Sequence, residues 1–156
     1  MAISNEAKEY IKKELDRYES RLSAIIPALF KVQEEHGWVS EEQMDEMARF
    51  MDIPNSAIQE VATFYTMFNK QPTGKYHIQV CTNVTCSMRK GRELTDYILK
   101  KLNLKGGEMS EDGKFSVSRV ECLGSCDTAP VLQVNFDYHE NMDEKKIDLL
   151  LEGLRK

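Results

Sequence analysis

Four cysteines are the residues in this 156-residue chain whose type and spacing point most directly to chemistry. Cys81 and Cys86 have four residues between them, Cys122 and Cys126 have three, and 35 residues separate the two pairs. Four thiol chemistries compete for such a set. Structural disulfides belong to oxidising compartments, and residues 1–15 lack the apolar stretch of a secretion signal. The same residues carry Glu6, Glu9 and Glu14, which also argues against a transit peptide. The chain is therefore expected to start near Met1 and to stay in the cytosol. Structural zinc takes four thiolates too, but its knuckles usually place two residues between cysteines. A dithiol redox pair prefers the same tight spacing at a helix N-terminus, where the dipole lowers the thiol pKa. A [2Fe–2S] rhomb is wider than one zinc ion, and each of its irons takes two thiolates. Two separate loops that each give two thiols suit that shape. The spacing favours the cluster, and a zinc-stabilised interaction module stays as the alternative from another class.

The elements around the cysteines must bring the pairs together. Residues 76–80 read as a strand, with Cys81 at its end and Cys86 just before a helix marked by Leu94, Tyr97, Ile98 and Leu102. Residues 115–120 read as the next strand, which Cys122 ends, and Cys126 lies in the loop before Pro130. Two parallel strands joined by a helix finish on the same edge of their sheet, so their end loops can meet. A third strand is predicted over 131–136, a short hairpin partner over 137–141, and a terminal helix from Ile147, Leu150, Leu151 and Leu154. This β-α-β-β-(β)-α order is that of a small α/β sandwich.

Residues 1–70 read as helices throughout. Apolar residues recur at helical spacing through Ala7, Ile11, Leu15 and Tyr18, through Ile25, Ile26, Leu29, Phe30 and Gln33, and through Ile58, Val61, Ala62 and Tyr65. Pro27 falls near the first turn of the second helix, Gly37 is its expected stop, and Pro54 fits the first position of a fourth. Ser40 and Gln43 form a predicted capping box ahead of a face made by Met44, Met47 and Met51. Those methionines are read as core. The punctuation at Pro72 and Gly74 marks a linker over 69–74.

Charge divides the same way. Residues 1–70 hold 13 acidic and 8 basic side chains, and the remainder holds 13 of each, so the formal net charge of −5 lies wholly in the first part. An acidic chain with no basic block is not built to neutralise phosphates, so no nucleic-acid partner is expected. No apolar run reaches the length of a membrane span, and no direct membrane insertion is expected. His36, His77 and His139 form no metal-binding spacing. No Gly-x-Gly-x-x-Gly occurs, and the glycines near 107 and 113 fit a P-loop badly. Phe64, Tyr65 and Phe68 are either core or a patch facing a partner. Near the cysteines, residues 82–85 and Gly124 offer backbone N–H groups close to the sulfurs. Arg89, Lys90 and Arg92 are either useful positive charge or a solvated helix face.

The runs C-T-N-V-T-C at 81–86 and E-C-L-G-S-C-D-T-A-P-V-L-Q-V-N at 121–135, preceded by V-A-T-F-Y-T-M-F at 61–68, resemble a known family. It is the NuoE-type family of bacterial NADH:quinone oxidoreductase (respiratory complex I), a thioredoxin-like [2Fe–2S] ferredoxin. The resemblance extends from E-E-H-G-W at 34–38 to the terminal helix. It implies an α+β fold: an N-terminal helical bundle over 1–72, serving partner docking, followed by a thioredoxin-like α/β domain over 73–156. It implies one [2Fe–2S] cluster on Cys81, Cys86, Cys122 and Cys126, and, by analogy, a cis bond before Pro130. FMN and NADH are expected on a partner flavoprotein subunit (NuoF type) only, with a large iron–sulfur subunit (NuoG type) as a further neighbour. The place implied is cytoplasmic, peripheral to the inner membrane. Related subunits serve as diaphorase parts of NAD-linked hydrogenases and formate dehydrogenases. The isolated chain is not expected to oxidise NADH.

Overall fold

A computed structural model of the chain describes residues 2–155. The chain divides into two compact units, Met1–Pro72 and Thr73–Lys156.

The first unit is helical. Helix α1 (Asn5–Arg17) begins where the Ser4 hydroxyl accepts the Ala7 N–H at 2.9 Å. A 3-10 turn, Arg21–Ala24, leads into α2 (Ile25–His36). Gly37 ends α2 in the left-handed region at φ 77°, a conformation that favours a residue without Cβ. Helix α3 (Glu41–Met51) carries the capping box foreseen at Ser40 and Gln43: each side chain takes the other residue's backbone N–H, at 3.2 and 2.9 Å. Met44, Met47 and Met51 are buried, together with Ile11, Ile25, Leu29 and Ile58. Helix α4 spans Asn55–Phe64, so Pro54 precedes the helix as its N-cap instead of occupying its first position. Likewise Tyr18 and Tyr65 cap helices from outside. The three aromatics at the end of this unit separate. Phe68 is buried against Phe30 with ring centroids 5.1 Å apart, whereas Phe64 and Tyr65 are exposed.

The second unit is built on a four-stranded mixed sheet of order β2-β1-β3-β4. Strand β1 (Tyr76–Cys81) pairs in parallel with β2 (Phe115–Val120) and antiparallel with β3 (Leu132–Val134). Strand β4 (Asp137–His139) returns along β3 as a hairpin. The period of two puts Ile78, Val80, Phe115, Val117, Leu132 and Val134 in the core. Helices α6 (Gly91–Leu102) and α7 (Glu144–Arg155) pack there through Leu94, Ile98, Ile147 and Leu151.

Three local features differ from the sequence reading. A short helix, α5 (Val84–Met88), lies between β1 and α6, so Cys86 is within a helical turn and not merely ahead of one. Strand β2 stops at Val120, leaving Cys122 beyond the strand instead of at its end. Strand β3 is shorter than 131–136 because Asn135, at φ 55°, turns the chain into β4.

Candidate functional site

The first cysteine pair is set by regular structure. Cys81 is the last residue of β1; its backbone N–H donates to the Val131 carbonyl at 3.1 Å. The next residue, Thr82, donates its N–H to Val120 at 2.9 Å, continuing the parallel pairing. Asn83 then caps α5, its side-chain oxygen accepting the Val84 N–H at 2.7 Å. One turn of helix brings Cys86 back beside Cys81, and both are buried with Ala129 and Val131 in a small apolar cluster. The start of α6 presses on this turn. A Cβ at Gly91 would lie 2.6 Å from the Cys81 carbonyl oxygen and 2.9 Å from that of Cys86, so no side chain fits there.

The second pair sits in irregular chain. Cys122 is exposed after β2, and Cys126 is exposed at the start of a 3-10 turn, Cys126–Thr128. Gly124 lies between them at φ 74° and points its backbone N–H at the Cys122 sulfur, 3.4 Å away. The Ala129–Pro130 peptide is cis.

Several contacts join the two arms. The Cys81 thiol donates to the Glu121 carbonyl at 3.1 Å, and the Asn83 amide donates to the Glu121 carboxylate at 3.2 Å. Leu123 packs on the apolar cluster around Cys81 and Cys86. Burial pushes the Cys86 thiol pKa up. The Val131 N–H, which donates to its sulfur, opposes that shift, and the neighbouring Cys81 and Cys126 thiols add to it. Cys81 and Cys86 are therefore side by side, with Cys126 within electrostatic reach, while Cys122 enters none of these contacts.

All four thiols are free. Among the described residues no three His, Cys, Asp or Glu side chains close on one ion position. A [2Fe–2S] cluster asks two thiolates of each iron, so an adjacent pair and a second arm within reach fit its donor set. The N–H groups of Val131 and Gly124, each aimed at a cysteine sulfur, fit a ligand shell that carries negative charge.

Of the three basic residues after the first pair, Arg89 and Arg92 are tied down locally. Arg89 donates to the Ala129 carbonyl at 3.3 Å, and Arg92 donates to the Ser87 hydroxyl at 3.2 Å. Ser87 in turn donates to the Thr82 carbonyl at 2.6 Å, so these side chains brace the first arm. Sequence reasoning missed Gly91, Glu121 and the capping role of Asn83. An Asn ahead of a short polar run, and a Gly opening a helix, were the available signals.

The chain matches the thioredoxin-like [2Fe–2S] ferredoxin family over residues 11–155. It is 41% identical to the second NuoE-type subunit of the NADH-quinone oxidoreductase of Rhizobium meliloti, covering 95% of this chain and 88% of the relative. It is 40% identical to NADH-quinone oxidoreductase subunit 2 of Thermus thermophilus, covering 99% and 87%. It is 44% identical to the NuoE-type subunit of the NADH-quinone oxidoreductase of Rickettsia prowazekii, covering 86% and 76%. Among solved structures, an NAD+-reducing [NiFe]-hydrogenase in the H2-reduced state shares the fold, with a TM-score of 0.72 and 21% identity. That match covers 84% of this chain but 22% of the hydrogenase chain. The chain thus belongs to the thioredoxin-like [2Fe–2S] ferredoxin family, whose cofactor is one [2Fe–2S] cluster, within the group formed by the NuoE-type subunits of NADH-quinone oxidoreductase.

Proposed function

We propose that this chain is the electron-transfer subunit of a bacterial NADH:quinone oxidoreductase, with its [2Fe–2S] cluster ligated by Cys81, Cys86, Cys122 and Cys126. The observation that carries the reading is the convergence of two cysteine arms at one edge of the sheet, joined by the bond from the Cys81 thiol to the Glu121 carbonyl. When bound, the cluster supplies a one-electron acceptor, which a flavin that receives two electrons as hydride requires of its neighbour. The chain's own residues hold and tune it. Val131 and Gly124 direct N–H groups at ligand sulfurs. Burial raises the Cys86 pKa, so binding iron as a thiolate would cost this residue its proton.

The partners that suit this role are a flavoprotein subunit that binds NADH and FMN and, beyond it, a large iron–sulfur subunit. Residues 1–72 serve docking: they contain no cysteine and the net negative charge lies among residues 1–70. Phe64 and Tyr65, exposed and in edge-on contact at 5.0 Å, present an aromatic face suited to a partner. The place that goes with these partners is the cytoplasmic side of the inner membrane, held there through the complex. Among the described residues no helix is long and apolar enough to cross a membrane.

Anaerobic metal analysis of the purified chain tests the cluster reading. About two irons and two acid-labile sulfides per chain are expected; stoichiometric zinc without sulfide ends it. NADH mixed with the flavin-free chain under argon should leave the visible spectrum unchanged. Rapid bleaching would make the chain an NADH-oxidising enzyme by itself.

A further inference from the structure

Among the described residues the loop that carries Cys122 and Cys126 has no strand partner of its own, yet two side chains reach it from the β4 hairpin. The Tyr138 hydroxyl on β4 donates to the Leu123 carbonyl, between the two cysteines, at 2.9 Å. The Ser125 hydroxyl, next to Cys126, donates to the Glu140 carboxylate just after β4 at 2.9 Å. Thr128 stands 2.7 Å from the same Ser125 hydroxyl. Beyond β4 the backbone itself is tied to the far side of the loop: the Asn141 N–H donates to Thr128 at 2.7 Å and the Met142 N–H to Pro130 at 2.9 Å. The hairpin is therefore fixed to the chain that follows Cys126, while Tyr138 and Glu140 grip the chain that precedes it.

We infer that Tyr138 and Glu140 are positioning residues for the second ligand arm, an inference that rests on Cys122 and Cys126 being ligands. Their role is to hold Leu123, Gly124 and Ser125 in one conformation, so that the Gly124 N–H stays aimed at the Cys122 sulfur and the arm stays within reach of the buried pair. A loop without this grip would sample other conformations, and ordering it would weaken metal retention. Tyr138 is 48% exposed, so its hydroxyl gains little from burial alone. What its bond to Leu123 does is choose a loop conformation. Outer-shell groups that orient ligands affect metal affinity strongly even though they never touch the metal.

The test uses the full chain with its cluster assembled, as wild type and as Tyr138→Phe, Glu140→Ala, Glu140→Gln and Tyr97→Phe. Tyr97→Phe is the control: it also removes one tyrosine hydroxyl from this unit, but one that bonds Asp148 on α7. The readouts are iron release to a chelator, the electron paramagnetic resonance spectrum and midpoint potential of the dithionite-reduced cluster, and the melting temperature of the cluster-free chain. Tyr138→Phe should release iron about tenfold faster, with shifted resonance positions and an unchanged cluster-free melting temperature. Glu140→Ala should move the same way, and Glu140→Gln, whose amide oxygen still accepts from Ser125, should restore wild-type behaviour. Tyr97→Phe should leave release and spectrum alone. If Tyr138→Phe and Glu140→Ala both match wild type in release, spectrum and potential, the bracing role is wrong while the ligand assignment stands. If Cys122→Ser and Cys126→Ser retain an unaltered cluster, the assignment beneath it is wrong. Should Tyr138→Phe fail to assemble a cluster, the contrast between Glu140→Ala and Glu140→Gln decides.

Discussion

Cys81 and Cys86 are each 2% exposed, whereas Cys122 and Cys126 both lie open to solvent. The difference follows from what precedes each pair. The first pair ends a strand flanked on both sides, and continues into a capped turn that α6 presses from behind. Backbone hydrogen bonds and packing fix it before any ligand arrives. The second pair follows an edge strand and passes through a left-handed glycine into a 3-10 turn. Its order comes largely from side-chain bonds, from Tyr138 to the Leu123 carbonyl and from Ser125 to Glu140. The fold itself thus sets the first arm, whereas the second leans on local side-chain bonds.

Substituting the cysteines themselves should have the largest effect and expose the asymmetry. Cys86→Ser should abolish the cluster, because a hard oxygen replaces a soft thiolate. It should also lower the melting temperature of the cluster-free chain, because a hydroxyl then occupies an apolar cluster. Cys122→Ser should abolish the cluster while leaving cluster-free melting unchanged. Equal melting for the two would erase the distinction between the arms.

Glycines make the next contrast. Gly91→Ala should destabilise the second unit by about 3 kcal/mol, the upper end for overpacking, because the obstructing atoms are backbone carbonyls. Gly124→Ala meets no atom and faces only its positive φ, a cost of about 1 kcal/mol. Denaturant unfolding of the cluster-free proteins measures both; a Gly124 variant as damaged as the Gly91 variant would mean the second arm is equally rigid.

Asn83→Ala removes the cap of α5 and the amide bond to Glu121 together. About 1 kcal/mol is expected from the lost cap. Hydrogen exchange should show α5 loosening while β2 stays protected.

Acid should produce the mildest change. His77 on β1 lies between the Ser116 and Ser118 hydroxyls, at 2.7 and 3.2 Å, and burial lowers its pKa below the ordinary 6.5. Above that value the ring is neutral in both folded and unfolded chains and contributes nothing to pH dependence. As pH falls through about 6.5, the unfolded chain takes up the proton first, so stability declines. A thermal-melting series from neutral to mildly acidic pH should show this decline in wild type and lose it in His77→Gln. A slope unchanged by the substitution would assign the acid sensitivity elsewhere.

Much of this was legible in local patterns. The Ser40–Gln43 box, the stop at Gly37 and the methionine face of α3 depend on short-range spacing, and the parallel β1/β2 pair follows from the β-α-β order; all are legible in the sequence. Helix α5 was not, because five residues carry too little periodicity to read; its cap and the pressure of α6 at Gly91 make it possible. Pro54 was displaced by one position because a helix boundary depends on which residue first adopts helical angles. Phe64, Tyr65 and Phe68 could not be sorted, since burial depends on the partner across the unit, and only Phe68 meets Phe30.

By itself the sequence determined the chemistry available: four thiols in two pairs, a helical and acidic first segment, and the motif that marks the family. Those properties reside in residue identity and near-neighbour spacing. Tertiary structure alone decided which thiols are buried, that Glu121 joins the arms and that Tyr138 grips the second one. Tyr138 and Leu123 are 15 residues apart, and Cys81 and Glu121 are 40 apart. Their contacts exist because strand pairing brings the segments together; the β-α-β order foretells that the end loops of β1 and β2 meet, but not which groups touch.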